Sequence, residues 1–167
     1  MSAARAVLCL VLACGLTPAV AVNVGEPAPD FALPRADGST LDLSAYRGKV
    51  VVVDFWASWC GPCRESFPFL NSVHDRLAEQ GLVVIGVNLD EARDEASAFL
   101  RKYPARFDVV YDPEGKSAMA FAVKAMPSSY LIGRDGRVRV RHLGFRASES
   151  AAFEQAIEQA LAGDHPP

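Results

Sequence analysis

Residues 50–63 read VVVVDFWASWCGPC, and this stretch decides the fold. Val50 to Trp56 is β-branched and aromatic, apolar on both faces and interrupted only by Asp54. Runs of this kind form central strands of parallel or mixed sheets that are covered on both sides. Beyond the second cysteine the period changes. Phe67, Leu70, Val73 and Leu77 recur three or four residues apart, which predicts a helix over 62–80 ended by Gly81. Pro62 suits a first helical turn, where a missing N–H costs little. Pro68 lies inside the helix and predicts a kink. A buried strand therefore runs through two cysteines directly into an amphipathic helix.

The flanking sequence extends this unit. Asn23 to Pro29 reads as an extended lead-in. Phe31–Leu33 and Thr40–Leu43 flank Asp37-Gly38, a hairpin signal. Residues 82–89 (LVVIGVNL) form a second buried strand, and 92–103 a helix stopped before Pro104. A short strand at 109–111 and a short helix at 117–123 follow. Residues 128–132 and 137–143 predict a hairpin around Arg134-Asp135-Gly136. Its last strand carries Arg137, Arg139 and Arg141 on one face, as a charged edge strand would. A closing helix spans 148–161, with Ser148 as N-cap and Gly163 beyond its end. Strands alternating with helices give an α/β fold, a three-layer α/β/α sandwich with an N-terminal β-hairpin.

Composition narrows the function. The chain has 167 residues, 50% hydrophobic and 22% charged, so it can bury a core and is not disordered. A net charge of −3 excludes a broadly basic nucleic-acid binder. Arg5 is the only charged residue before Glu26, and Ala6–Leu16 is an apolar run too short to span a bilayer as a helix. Thr17-Pro18 ends it, and Ala19-Val20-Ala21 supplies an A-x-A cleavage site. Residues 1–21 thus read as a secretory signal peptide, and 22–167 as one domain working outside the cytoplasm. A second processing route is acylation at Cys14, in Val11-Leu12-Ala13-Cys14. Cleavage after Ala21 removes Cys9 and Cys14 and leaves Cys60 and Cys63.

Those two cysteines carry the chemistry. At a strand–helix junction, unpaired backbone N–H groups and the positive helix end stabilise the thiolate of Cys60, the form that attacks disulfides. Cys63, one turn further in, can close a small ring with Cys60 and act as the resolving thiol. A zinc site would need two further ligands, and His74, His142 and His165 are not paired in sequence. A c-type haem site would need His after Cys63, where Arg64 stands. A structural disulfide across so short a loop would stabilise little. Asp54, inside the valine run, should be buried with a raised pKa. Such a carboxylate suits a general base for the Cys63 thiol; the competing reading is a half-exposed strand-end Asp without catalytic duty.

The stretch VVVDFWASWCGPC is similar to the active-site region of the thioredoxin superfamily. With YRGKVV, GLVVIGVNLDE, AMPSSYLIGRDGRV and LGF around it, residues 25–162 resemble the TlpA/ResA branch of extracytoplasmic thiol–disulfide oxidoreductases. The resemblance implies an extra central strand–helix unit between Cys63 and Met126. It also implies a cis Met126-Pro127 peptide, and an apolar docking ring of Trp59, Gly61, Pro62, Met126, Pro127 and Gly144 around Cys60. Partners would be protein disulfide substrates and a membrane thiol donor of the DsbD kind. The protein would act as a monomer without metal or cofactor, in cytochrome c maturation or general periplasmic thiol homeostasis. Gly61-Pro62 matches the dipeptide of thioredoxin, whose potential of about −270 mV lies far below that of the oxidant DsbA at about −120 mV. ResA-like proteins carry Glu three residues after the second cysteine. Ser66 stands there, with Glu65 one residue earlier and about 100° away on a helix. That departure favours a general reductant.

Two other functions compete. A peroxiredoxin-like peroxidase shares the fold but needs Thr or Ser three residues before its attacking cysteine, where Ala57 stands. A copper metallochaperone could use the CxxC thiolates, with His142 approaching in space.

Overall fold

The computed structural model describes residues 22–163. The expected signal peptide with its Ala19–Ala21 site, and Cys14, the alternative acylation residue, lie outside them. The fold is a thioredoxin-like α/β arrangement built on a five-stranded mixed sheet. Strand β3 (Val50–Trp56) is its centre, with every residue buried. It pairs in parallel with β4 (Leu82–Asn88) and antiparallel with β6 (Ser128–Ile132). Strand β5 (Asp108–Tyr111) adds to β4 in parallel, and β7 (Val138–Leu143) adds to β6 antiparallel. The order is β5-β4-β3-β6-β7. A separate hairpin joins β1 (Ala32–Pro34) to β2 (Thr40–Asp42). A fully buried valine contributes about 1.5–3 kcal/mol, which makes the VVVV run the anchor of the core.

Strand alternation divides β3 between two cores. Val50, Val52 and Trp56 join one side, and Val51, Val53 and Phe55 the other. The first side is covered by helices α1 (Cys63–Leu77), α2 (Arg93–Lys102) and α4 (Ala147–Ala162), through Phe67, Leu70, Phe99, Phe153 and Ile157. There Trp56 and Phe67 stand edge-to-face at 4.9 Å, and Phe107 lies 5.4 Å from Phe67. The second side is covered by the hairpin, the 3-10 turn Leu43–Tyr46 and the short helix α3 (Lys116–Ala120). Phe121 packs on Phe55 at 5.3 Å and Tyr130 at 5.0 Å, and Tyr130 Oη donates to the Phe121 carbonyl at 2.7 Å. The outer layers are thus unequal, because three of the four α-helices among the described residues share one face. The β5–α3 unit between α2 and Met126 supplies one sheet edge. Arg35 ties the hairpin to that edge, reaching Asp108 at 3.1 Å and Tyr46 Oη at 3.2 Å.

Three local expectations need correction. The helix expected over 62–80 runs from Cys63 to Leu77, straight through Pro68, and continues as a 3-10 turn to Gln80, but Cys60, expected at its start, belongs to the preceding turn. Its amide is already bonded to the Ala57 carbonyl at 3.1 Å, which closes that turn before the helix opens. Helix α4 begins at Ala147 with Arg146 in the cap position, so Ser148 lies within the first turn. The three arginines do not share a face. A register irregularity at Leu131/Ile132 pairs Val140 with Leu131 but Val138 with Ile132, skipping Arg139. Val138 therefore packs into one core and Val140 against the other.

Candidate active site

Cys60 and Cys63 are joined, with sulfurs 2.07 Å and Cα atoms 5.4 Å apart. Three neighbouring elements place them. Strand β3 delivers the chain to the turn Ala57–Cys60. Pro62 has no amide to satisfy and leads into α1, whose first free amides bond back to Gly61 and Pro62 carbonyls at 3.0–3.1 Å. Cys63 is 0% exposed and Cys60 4%, so both sulfurs sit at the edge of the core, with Cys60 slightly outside. Trp59 stands 68% exposed beside them, and Gly61 and Pro62 are also exposed.

The Met126–Pro127 peptide is cis. Pro127 is buried and Met126 half-buried. The Pro127 carbonyl accepts the Gly144 N–H at 2.8 Å, which joins the start of β6 to the end of β7. Gly144 has φ +76°, with open space where a Cβ would stand. Met126 packs against the same core that holds both cysteines.

Asp54 is 0% exposed, on the same strand face as Val52 and Trp56, whose core also contains Cys60 and Cys63. Its neighbour on β4 is Gly86, which offers no side chain, and on β6 it is Ser129. Ser129 Oγ donates to Asp54 Oδ1 at 2.6 Å, while Oδ2 has no partner among the described residues. Burial pushes the Asp54 pKa up to about 7, against the smaller downward pull of the Ser129 hydrogen bond. A carboxyl with that affinity exchanges its proton near neutral pH. On α1, Glu65 points outward and Ser66 inward, where the Ser66 hydroxyl donates to the Cys63 carbonyl at 3.2 Å. His142 is the cross-strand neighbour of Ser129, stacks on Phe153 at 5.3 Å and lies 3.8 Å from Glu149. Among the described residues no three metal-ligating side chains cluster.

Two residues at the site carry no motif. Ser129 is one; its only trace in sequence is a hydroxyl at an inward position of a buried strand. Asp90 is the other, 4% exposed just after β4, with both carboxylate oxygens on the Ser58 amide at 3.0 Å. A charged residue directly after a buried strand was the available sign.

Residues 24–141 match the model of the AhpC/TSA family. The chain is 33% identical to the thiol-disulfide oxidoreductase ResA of Geobacillus thermodenitrificans over 123 residues, 74% of this chain and 71% of that protein. It is 31% identical to ResA of Bacillus thuringiensis subsp. konkukian over 117 residues, 70% and 68% of the two chains. Among solved structures, a candidate thiol:disulfide interchange protein DsbE from Chlorobium tepidum superposes with a TM-score of 0.82 at 46% identity. That match covers 84% of this chain and 99% of the other. A thioredoxin-family thiol:disulfide interchange protein from the same organism gives 0.70 at 27% identity, covering 81% and 95%.

Proposed function

The chain belongs to the AhpC/TSA family and is a thiol-disulfide oxidoreductase of the ResA and DsbE kind; from that premise we propose that it reduces protein disulfides outside the cytoplasm. The observation that carries this reading is the bonded Cys60–Cys63 pair, set in the core that borders the strand face bearing the buried Asp54 carboxyl, whose proton affinity is near neutral. Cys60, the outer sulfur, attacks a substrate disulfide as thiolate. One substrate sulfur leaves as thiolate and the other becomes bonded to Cys60. The Cys63 thiol then gives its proton to the Asp54 carboxylate and attacks the Cys60 sulfur. The second substrate thiolate departs, two electrons have passed to the substrate, and the protein holds the disulfide present in the structure.

Trp59, Gly61, Pro62, Met126, Pro127 and Gly144 form the docking rim for the substrate chain. The Gly144–Pro127 hydrogen bond and the exposed indole of Trp59 support that assignment. The leader-like residues 1–21 support export, and the Gly61-Pro62 dipeptide supports the reducing direction. Export implies recharging by a membrane dithiol donor of the DsbD kind. Glu65 facing away from the cysteines favours general thiol homeostasis over a role confined to cytochrome c maturation. No helix among the described residues is long and apolar enough to cross a membrane.

The test is a Cys63→Ser trap expressed in the native host, with cell fractionation. Attack without resolution should leave client proteins bonded to Cys60 in the extracytoplasmic fraction, identifiable by mass spectrometry. Cytoplasmic recovery, or no adduct on Cys60, would overturn the proposal.

A further inference from the structure

Asp90 combines a buried carboxylate, a full set of hydrogen bonds and a place next to the reactive turn. Its Oδ1 and Oδ2 each accept the Ser58 N–H at 3.0 Å, and Oδ1 also accepts the Ser58 hydroxyl at 3.0 Å. Oδ2 accepts Asn88 Nδ2–H at 2.8 Å, and Asn88 Oδ1 in return accepts the Asp90 amide at 3.2 Å. Asn88 is fully buried at the end of β4. The Leu89 amide donates to the Trp56 carbonyl at 2.9 Å, so β3 and β4 stay joined up to this point.

Ser58 is the second residue of the turn Ala57–Cys60, which closes through Cys60 N–H to Ala57 C=O. One end of that turn is fixed by the sheet, and its middle is fixed by Asp90, itself braced by Asn88. Cys63 is held independently, by the packing of α1. Where the Cys60 sulfur stands relative to the Cys63 sulfur in the reduced protein thus depends on the clamp over Ser58.

We propose that Asp90 is a positioning residue that, through Ser58, sets the balance between dithiol and disulfide in favour of the disulfide. Two effects act with one sign. A clamped turn has already lost the conformational freedom that closing the Cys60–Cys63 bond would otherwise remove. A carboxylate bonded to the chain two residues before Cys60 opposes the Cys60 thiolate and so destabilises the reduced form. Both make the reduced protein a stronger donor of electrons.

The measurement is equilibration with glutathione. Protein dithiol plus glutathione disulfide gives protein disulfide plus two glutathione thiols; one S–S bond breaks, one forms, and two electrons and two protons pass to glutathione. The ratio is read by alkylation and mass spectrometry, alongside thermal melting of each oxidised variant. Asp90→Ala should lower the equilibrium constant about tenfold, which for this two-electron couple is about 30 mV. Asp90→Asn, which removes the charge and keeps one acceptor, and Ser58→Ala, which keeps the amide bond, should each lower it by a smaller factor of about three. Ser58→Ala carries the test if Asp90→Ala does not fold. Equilibrium constants within about twofold of the unmodified protein in every folded variant, with only the melting temperature lowered, would overturn the proposal and leave Asp90 a structural residue.

Discussion

Replacing Asp54 with Asn should stabilise the oxidised protein at high pH and leave it nearly unchanged at pH 4. The reasoning begins with its buried place in β3, where Ser129 alone among the described residues bonds to its carboxyl. The folded pKa is about 7, above the ordinary 3.8. Between those two values the native state holds a proton that the unfolded chain has lost. Native-state stability is therefore complete below the unfolded pKa and falls as pH rises toward 7, beyond which the loss is full. At 1.36 kcal/mol for each pH unit of that interval, the loss is on the order of 4 kcal/mol. With a urea slope of roughly 2 kcal/mol per molar, the wild-type midpoint should drop by about 2 M relative to the variant between pH 4 and pH 8.5. The carboxamide of the Asp54→Asn variant keeps the shape and carries no ionisation, so the difference between the two proteins isolates this one group. Keeping the Cys60–Cys63 disulfide intact silences both thiols. Urea melts of the two oxidised proteins at pH 4, 5.5, 7 and 8.5 are the assay. A difference in midpoint that stays constant with pH would refute the reasoning, because burial would then not be governing the ionisation of Asp54.

In the reduced protein, Asp54→Asn should slow resolution of the mixed disulfide more than attack by Cys60; stopped-flow reduction of a model disulfide separates the two phases, and equal slowing would argue against Asp54 as base. Iodoacetamide at pH 6 should label Cys60 ahead of Cys63, since Cys63 is the more deeply buried sulfur; peptide mapping reads the site. Trp59→Ala should leave the urea midpoint nearly unchanged, because the indole is 68% exposed, yet weaken turnover of a protein disulfide through KM. Gly86→Ala should destabilise by about 1–3 kcal/mol, because its Cβ would meet Phe107 Cε2 at 2.9 Å and Trp56 Nε1 at 3.1 Å; a neutral effect in the same melts would show that the aromatic cluster yields.

Much of the architecture was written in short-range pattern. The VVVVDFW run coincides with β3, and the Phe67, Leu70, Val73, Leu77 spacing with α1. Gly81, at φ +101°, ends the helical segment because a left-handed residue there costs glycine little. Cys60-Gly61-Pro62-Cys63 needed no tertiary context, since two residues of separation already bring the sulfurs within bonding range. These features depend on neighbours a few positions away, and local sequence states them directly.

Other features arise only when distant segments meet. The skip at Arg139 came from pairing with β6, which alternation along β7 alone does not reveal. Ser129 reaches Asp54 across 75 positions, and Asp90 reaches Ser58 across 32. Sequence determined the strand–dithiol–helix unit, the type of nearly every element and the burial of Asp54, because hydrophobic period and turn chemistry act locally. Tertiary structure decided the strand order, the unequal layers and the partners of the buried carboxylates. A buried polar group must find a donor or acceptor wherever the fold supplies one, and that choice is made in space.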